Sequence, residues 1–259
     1  MKLLKIAFSA GGLGKTNGTE EAPDKVAEKL KDFFLSGIGT PAIFEPVDVN
    51  VDNSNMEQSM RLIENLVHQT GGKSVILGGD HSISYASVKG FAKKHQNFGL
   101  VVFDAHPDMM QDKILTHESW LFKLINEGIV KAENVVLVGV RNIFKTELDF
   151  LKNNNIKYFC MREISFDGKQ EVCDAIMSVV RRWKSAYVSI DIDVLDPSFA
   201  PGTGHPEPGG MTTRELIYFL QRLKLLKNIV MADIVEVNPK KDINNLTVSA
   251  AAKLVVELC

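Results

Sequence analysis

The sequence predicts an α/β fold in which a mostly parallel β-sheet lies between two layers of helices. Short apolar runs rich in β-branched residues alternate along the chain with longer segments of helical periodicity. This alternation is typical of parallel sheets that helices cover on both faces. No linker or low-complexity segment interrupts it, so we expect one domain spanning residues 1–259.

The predicted strands are short and apolar, as expected for strands that are buried on both faces. Several end in glycine, asparagine or acidic residues, which disfavour a continuing strand. We predict strands at residues 3–10, 42–49, 74–77, 100–103, 134–140, 157–160, 187–191 and 229–237.

The predicted helices carry apolar residues three and four positions apart. Pro23 suits the start of the first helix, whose apolar side includes Phe33 and Phe34, and Gly71 and Gly72 end the second helix. We predict helices at residues 23–35, 54–69, 82–94, 117–127, 146–152, 169–183, 213–224 and 245–259.

Composition excludes several classes of protein. Of the 259 residues, 45% are hydrophobic and 24% charged, which is ordinary for a globular protein, and a net charge of −2 offers no basic field for nucleic acid. No apolar stretch approaches transmembrane length or forms a signal peptide, so we expect a cytoplasmic protein without a membrane partner. Three widely spaced cysteines predict no disulfide or zinc framework.

Three potential metal ligands follow the apolar strand at 100–103. Asp104, His106 and Asp108 occupy alternate positions, and alternate side chains of an extended chain point to the same face. They would converge just beyond the strand if the extension persists past Pro107. Such a group is electrostatically costly unless a cation or protonation neutralises it.

Two other predicted strands end in the same kind of residue. Asp191 and Asp193 complete one strand, and His81 follows another. In parallel sheets, ligands bind beyond the carboxyl ends of the strands. Six candidate ligands, four of them acids, exceed the needs of one tetrahedral zinc and suit two manganese ions that share bridging carboxylates. The candidates are His81, Asp104, His106, Asp108, Asp191 and Asp193.

Three motifs resemble the metal-binding motifs of the ureohydrolases, the family of arginase, agmatinase and formimidoylglutamase. They are Gly-Gly-Asp-His-Ser (78–82), Asp-Ala-His-Pro-Asp (104–108) and Ser-Ile-Asp-Ile-Asp-Val-Leu-Asp-Pro (189–197). The resemblance continues through 199–210 and Asp-Ile-Val-Glu-Val-Asn-Pro (233–239), whereas the first seventy residues match loosely. It implies an arginase-like three-layer fold, a small guanidino or amidino substrate, and a homo-oligomer, either trimer or hexamer.

The resemblance also implies two Mn²⁺ ions per subunit, bridged by two aspartates. His81, Asp104, Asp108 and Asp191 would hold one ion, and Asp104, His106, Asp191 and Asp193 the other. Paired cations lower the pKa of a shared water, and the hydroxide formed would attack the central carbon of a guanidinium or amidine.

The resemblance further implies catalytic roles for His117 and Glu236, beside the ligand Asp108. His117 matches a histidine that shuttles a proton to the leaving amine, and its ordinary pKa suits that task. Glu236 matches an acid that orients the guanidinium, as a carboxylate pairs well with this planar cation. The alternatives are a helix-start histidine without a role and a solvated charge. Asp80 and Asp196 are candidates for orienting ligands.

Departures from the family pattern bear on the substrate. Glu118 replaces the usual glycine after His117, and residues 109–113 lack the carboxylate-binding pattern of arginases. His205 stands where agmatinases have threonine, although the loop around it otherwise looks agmatinase-like. We therefore expect a urea-releasing, agmatinase-like hydrolase, with an arginase or a formimidoylglutamase-type enzyme as the alternative. Lys113 argues against a cationic substrate.

Other classes of protein remain open at this point. Gly-Gly-Leu-Gly-Lys-Thr (11–16) follows a strand and resembles a P-loop, although Ser9 replaces the expected glycine and the next helix begins only near Pro23. In a P-loop ATPase, Lys15→Ala would abolish nucleotide binding. A deacetylase of the same fold would hold a single zinc, and a catalytically silent metal-binding subunit would release no urea.

Overall fold

The computed structural model describes residues 1–259 and contains one eight-stranded sheet. All seven neighbouring pairs of strands are parallel, which confirms the predicted α/β class. The strands are β1 (Lys2–Ile6), β2 (Glu45–Val49), β3 (Ser74–Leu77), β4 (Gly99–Phe103), β5 (Val135–Val140), β6 (Lys157–Cys160), β7 (Ala186–Asp191) and β8 (Ile229–Val235). Their order across the sheet is β2-β1-β3-β8-β7-β4-β5-β6.

Helices form the two outer layers. They are α1 (Ala22–Lys29), α2 (Met56–Gln69), α3 (Ile83–Ala92), α4 (Trp120–Asn126), α5 (Lys145–Asn153), α6 (Met161–Asp167), α7 (Lys169–Val180), α8 (Thr213–Leu223) and α9 (Leu246–Leu258). Five helices (α1, α6, α7, α8 and α9) pack on one face of the sheet and form the first apolar core with it. The other four (α2, α3, α4 and α5) pack on the opposite face and form the second core. No helix is both long enough and apolar enough to cross a membrane.

The central strands are apolar on both faces because each face packs against helices. Along β4, Val101 and Phe103 belong to the first core, whereas Leu100 and Val102 belong to the second. Every residue of β3, β4, β5 and β7 is buried. The burial of each large apolar side chain among them contributes about 1.5–3 kcal/mol, so these strands contribute strongly to the stability of the fold.

The first strand is shorter than predicted. The sequence indicates a strand to residue 10, but β1 ends at Ile6. Beyond it, the Ala7 carbonyl accepts a hydrogen bond from the Asn53 side chain (2.9 Å), and the Phe8 carbonyl accepts one from the Asp80 amide (2.8 Å). The chain therefore leaves the sheet to support the loop that follows β3.

Two helix predictions also need correction. The helix predicted at 23–35 ends at Lys29; the backbone is extended at Phe33, and Phe34 is 82% exposed rather than buried. Helix α6 was not predicted, since its seven residues give fewer than two full turns of periodicity. Its first turn is held instead by the Glu163 carboxylate, which accepts a hydrogen bond from the Cys160 amide (2.8 Å).

The strand order places the candidate ligands together. Strands β3, β8, β7 and β4 are consecutive neighbours at the centre of the sheet. Their carboxyl ends lie at the same edge because all four run in the same direction. Residues more than 150 positions apart in sequence, such as His81 and Glu236, thereby become neighbours.

Candidate metal centre

The six predicted ligands lie together at the carboxyl ends of the central strands. His81 follows β3, three of the ligands follow β4, and two lie at the end of β7. An open pocket of about 690 Å³ lies above them. Four of the ligands line this pocket together with Glu236: His106, Asp108, Asp191 and Asp193.

The first cluster surrounds Nδ1 of His81. This atom lies 3.2 Å from Asp104 Oδ2, 3.0 Å from Asp108 Oδ2 and 3.2 Å from Asp191 Oδ2. All four side chains are buried. The cluster therefore brings one imidazole nitrogen and three carboxylate oxygens to a single point.

The second cluster surrounds Nδ1 of His106. This atom lies 3.1 Å from Asp193 Oδ2 and 3.4 Å from Asp104 Oδ1. Asp104 thus belongs to both clusters and turns one oxygen toward each, as a bridging ligand must. Asp191 lies with the first cluster, so its predicted second bridge remains a prediction.

Backbone amides hold one oxygen of three of these aspartates. Asp104 Oδ1 accepts a hydrogen bond from the His106 amide (2.7 Å), and Asp191 Oδ1 accepts one from the Asp193 amide (2.8 Å). Asp193 Oδ1 accepts one from the Ala105 amide (3.1 Å). In each case Oδ2 points toward a cluster histidine, so the backbone fixes the carboxylate in a ligating orientation.

The electrostatics of the clusters fit a cation site. Burial, together with the charges of neighbouring aspartates, raises the pKa of Asp104 to about 6 and that of Asp191 well above its usual range. Burial alone would lower the pKa of His81, but the three neighbouring aspartates raise it well above its ordinary value. Asp104 Oδ2 and His81 Nδ1 are buried without a hydrogen-bonding partner, as metal-ligating atoms are. The carboxylate-rich donor set therefore fits a pair of divalent ions.

Asp108 and Asp193 reach the clusters through tight turns, not through the extended backbone that the sequence predicts, whereas Asp191 is extended at the end of β7. Asp108 has a left-handed backbone (φ 53°), and Asp193 lies in a single 3₁₀ turn, Ile192–Val194. The Trp120 indole donates a hydrogen bond to Asp108 Oδ2 (2.7 Å) and holds the carboxylate in place. A left-handed non-glycine residue is uncommon and is tolerated where the surrounding structure enforces it.

A buried carboxylate that sequence analysis did not single out supports His81 from behind. His81 Nε2 lies 2.9 Å from Ser189 Oγ, which donates a hydrogen bond to Asp233 Oδ1 (2.6 Å). The Tyr187 hydroxyl donates to Asp233 Oδ2 (2.6 Å). Such partners orient a metal-binding histidine. The alternation of Tyr187, Ser189 and Asp191 along β7 is the pattern that could have revealed them.

Arg141 was also missed, because a lone arginine after a strand matches no motif. Its guanidinium donates hydrogen bonds to the carbonyls of Asp193 and Glu207, both at 2.6 Å. Asp196, predicted to orient ligands, instead accepts hydrogen bonds from loop amides such as that of Gly209 (2.8 Å). Both side chains therefore hold the long loop that follows Asp193.

His117 and Glu236 form a hydrogen-bonded pair beside the first cluster. Glu236 Oε1 lies 3.2 Å from His117 Nδ1 and accepts a hydrogen bond from the His81 amide (2.8 Å). Burial alone would lower the pKa of His117, but Glu236 and neighbouring carboxylates raise it to about 9. His117 Nε2 and Glu236 Oε2 are buried without a hydrogen-bonding partner. His117 precedes α4 and is not its first residue.

The glycine-rich loop at 11–16 does not form a P-loop. No α-helix begins there, and the Gly12 amide donates a hydrogen bond to Asp80 Oδ2 (2.9 Å), so this amide is not free to bind a phosphate. Lys15 instead reaches the pocket, where its Nζ lies 3.0 Å from Glu118 Oε1. His205, which stands where agmatinases have threonine, also lines the pocket.

Comparison with known sequences identifies relatives along nearly the whole chain. A profile described as the arginase family matches residues 2–259. The chain is similar to arginases of Staphylococcus aureus. It is 36% identical to that of strain COL over 245 residues, which cover 88% of this chain and 79% of that protein. It is 37% identical to that of strain MRSA252 over 197 residues, which cover 70% of this chain and 65% of that protein.

Solved structures share the fold. A formimidoylglutamase from Bacillus subtilis superposes with a TM-score of 0.94 at 25% identity, covering 99% of this chain and 85% of that one. A hypothetical agmatinase from Burkholderia thailandensis superposes with a TM-score of 0.88 at 26% identity, covering 99% and 84%. The predicted agmatinase-like specificity is less well supported than its alternative, since the two relatives by sequence described above are arginases.

Proposed function

Because the chain belongs to the arginase family, we propose that it is a binuclear manganese hydrolase that cleaves a guanidino C–N bond. The observation that carries this proposal is the pair of His/Asp clusters joined through Asp104 beneath an open pocket. Asp104, Asp108, Asp191 and His81 would hold one ion, and Asp104, Asp191, Asp193 and His106 the other. When bound, such ions supply Lewis-acid activation of water near neutral pH.

Glu236 positions the planar end of the substrate. Its Oε1 is already used by His81 and His117, whereas its buried Oε2 has no protein partner. We therefore assign Oε2 to a single charge-assisted hydrogen bond from a guanidinium N–H. This contact would hold the central carbon of the guanidinium over the clusters and disfavour orientations in which no guanidinium N–H points to Oε2.

His117 supplies the proton that the leaving amine needs. A pKa of about 9 keeps its imidazole protonated at neutral pH, with Nδ1 held by Glu236. The unpartnered Nε2–H can then transfer its proton to the departing nitrogen. Loss of that proton leaves a neutral imidazole that recovers one from solvent through the pocket.

The rim of the pocket favours a substrate with an amino-acid head. Lys15 and Glu118 place one positive and one negative side chain side by side, and their side chains are 54% and 33% exposed. A substrate carrying both a carboxylate and an ammonium group would satisfy both charges, whereas agmatine would satisfy only Glu118. We therefore propose arginine as the first substrate, in keeping with the arginases among the relatives.

The decisive experiment measures urea release by manganese-loaded protein from arginine, agmatine, guanidinobutyrate and guanidinopropionate. We expect arginine to have the highest kcat/KM. Lys15→Met should reduce this value for arginine more than for agmatine, because only arginine carries a carboxylate. Equal losses for the two substrates would contradict the assignment of Lys15, and no urea from any of the compounds would contradict the proposed function.

A formimidoylglutamate hydrolase is the second candidate. It is favoured by the close superposition on the Bacillus subtilis formimidoylglutamase. Formimidoylglutamate carries two carboxylates and no free ammonium, so it would satisfy Lys15 and leave Glu118 without a partner. Formamide release in the same assay distinguishes this activity from arginine hydrolysis.

A further inference from the structure

His117 presents a free ring nitrogen to the pocket. Its Nδ1 is hydrogen-bonded to Glu236. The side chain is only 5% exposed, and its Nε2 has neither a protein hydrogen-bonding partner nor ready access to water. A carboxylate on one ring nitrogen is the usual outer partner of a metal-binding histidine, because it fixes the tautomer and raises the basicity of the other nitrogen. The orientation of His117 is therefore that of a metal ligand.

Two further donors lie beside this nitrogen. Glu118 Oε1 is 3.6 Å from His117 Nε2, and the ring of His205 stacks on that of His117 with centroids 5.3 Å apart. One donor atom from each of the three residues lies within 4.8 Å of the other two. Two imidazoles and one carboxylate form a known catalytic-type zinc set that leaves a position open.

This group differs chemically from the two His/Asp clusters. It shares no residue with them, and imidazoles outnumber carboxylates in it, whereas the clusters contain four aspartates and two histidines. Imidazole-rich sites prefer zinc, copper or nickel over manganese.

We propose that His117, Glu118 and His205 form a third metal site, selective for zinc-like ions, at the side of the substrate pocket. Lys15 opposes occupancy, since its ammonium is paired with the same Glu118 oxygen. An ion at this site displaces the proton from His117 Nε2 and blocks the pocket. Zinc at low concentration is thus a reversible inhibitor; this consequence rests on the proposed function, whereas the binding site does not.

The test titrates zinc into manganese-loaded protein and counts both metals after gel filtration. We expect two manganese and one zinc per chain. His205→Ala should weaken zinc binding by at least about 100-fold, since the loss of an outer partner alone costs 10–100-fold. His95→Ala, which removes a histidine outside the pocket, is the matched control and should bind zinc as the unmodified protein does.

Further measurements separate the possible outcomes. Lys15→Met should tighten zinc binding, and Co²⁺ should show a tetrahedral absorption band that His205→Ala abolishes. If zinc enters only in exchange for manganese, or if His205→Ala binds it unchanged, the third site is disproved. Urea release without added zinc tests the proposed function separately, so that failure of one inference does not imply failure of the other.

Discussion

Three aspartates of the candidate metal centre are held by backbone amides through Oδ1. Asp191 and Asp193 turn only Oδ2 toward a cluster histidine, whereas Asp104 turns Oδ2 toward His81 and its amide-bound Oδ1 toward His106. An ordered carboxylate loses little rotamer freedom when it binds a metal. If these aspartates bind metal as proposed, each has both a structural and a ligating role, and mutation removes the two together.

Asp193→Ala should lose one of two bound manganese ions and nearly all turnover, because its Oδ2 is the only carboxylate oxygen within 3.1 Å of His106 Nδ1. Metal content by mass spectrometry and urea release on the same sample measure both effects. Asp149→Ala, which removes an exposed acid from α5, is the control. Retention of two ions by Asp193→Ala would disprove the ligand role.

His117→Ala should retain both manganese ions but lower kcat, most strongly for substrates with a poorly stabilised leaving amine. Loss of a general acid typically costs about 10²–10⁴-fold. Added imidazole should restore part of the activity if the loss concerns proton transfer. Unchanged activity, or loss of manganese, would show that His117 has a different role.

At the scale of residues, the sequence motifs revealed the candidate ligands but not the residues that hold those ligands in place. The six candidate ligands could be recognised because each follows or ends an apolar strand, and the structure brings all of them together. Arg141 and Asp233 could not be assigned, since their partners are backbone carbonyls and hydroxyls on strands that are distant in sequence. Their importance depends on strand order, which the sequence does not state.

At the scale of elements, the loops that follow the strands position the side chains of the candidate site. The loop after β7 is held by Arg141 on one side and by Asp196 on the other. The loop after β3 fits between two others: the Asp80 amide binds the Phe8 carbonyl, and the Glu236 amide binds the Gly79 carbonyl, both at 2.8 Å. The shape of each loop thus depends on its neighbours.

Arg141→Lys should weaken manganese binding by about 10–100-fold, the usual cost of removing an outer partner of a ligand. A lysine ammonium cannot reach the several carbonyls that the guanidinium binds on either side of the loop. Isothermal titration with Mn²⁺ measures the effect. Arg182→Lys, an exposed arginine after α7, controls for the loss of a guanidinium, and equal affinity in the two variants would contradict the prediction.

Gly79→Ala should destabilise the protein by about 3 kcal/mol or more, because a Cβ at this position would lie 1.8 Å from the Phe8 carbonyl oxygen, and backbone cannot move as a side chain can. Urea denaturation followed by circular dichroism measures the free energy of unfolding. Gly71→Ala is matched, since its Cβ would meet nothing within 4 Å. A small loss at both positions would show that the Phe8 loop is mobile.

Element types were largely predictable, whereas element ends were not. The strands Ser74–Leu77 and Lys157–Cys160 have the predicted bounds, since glycine or helix-forming residues end them clearly. The first strand and the first helix were predicted too long, because apolar residues continue beyond the point where their backbone leaves the element. The local pattern of apolar residues cannot show where the backbone stops bonding within its element and begins to bond to a distant loop.

At the scale of the molecule, bound metal should contribute to stability. Four aspartates meet in one buried region, and ions that neutralise them bind only the folded state. At free manganese about 100 times its Kd, linkage predicts about 2.7 kcal/mol, or roughly 5–10 °C in Tm. Chelation should lower Tm by this amount and manganese should restore it. The double variant D104N/D191N should show no such dependence.

The single-domain organisation and the homo-oligomer remain predictions. All eight strands belong to one sheet, with a core on each face. The sedimentation coefficient in solution would determine whether three or six copies associate.

The order in which the ligands occur along the chain has a consequence for biosynthesis. His81 and the aspartates after β4 emerge from the ribosome well before Asp191 and Asp193, and the strand that ends beside Glu236 emerges later still. Because β8 lies between β3 and β7, a nascent chain cannot close the gap between the two halves of the centre until its last strand inserts. The cluster around His106 needs only β4 and β7, which pair directly, so we expect it to assemble first and the cluster around His81 to be completed only when synthesis of the last strand is finished.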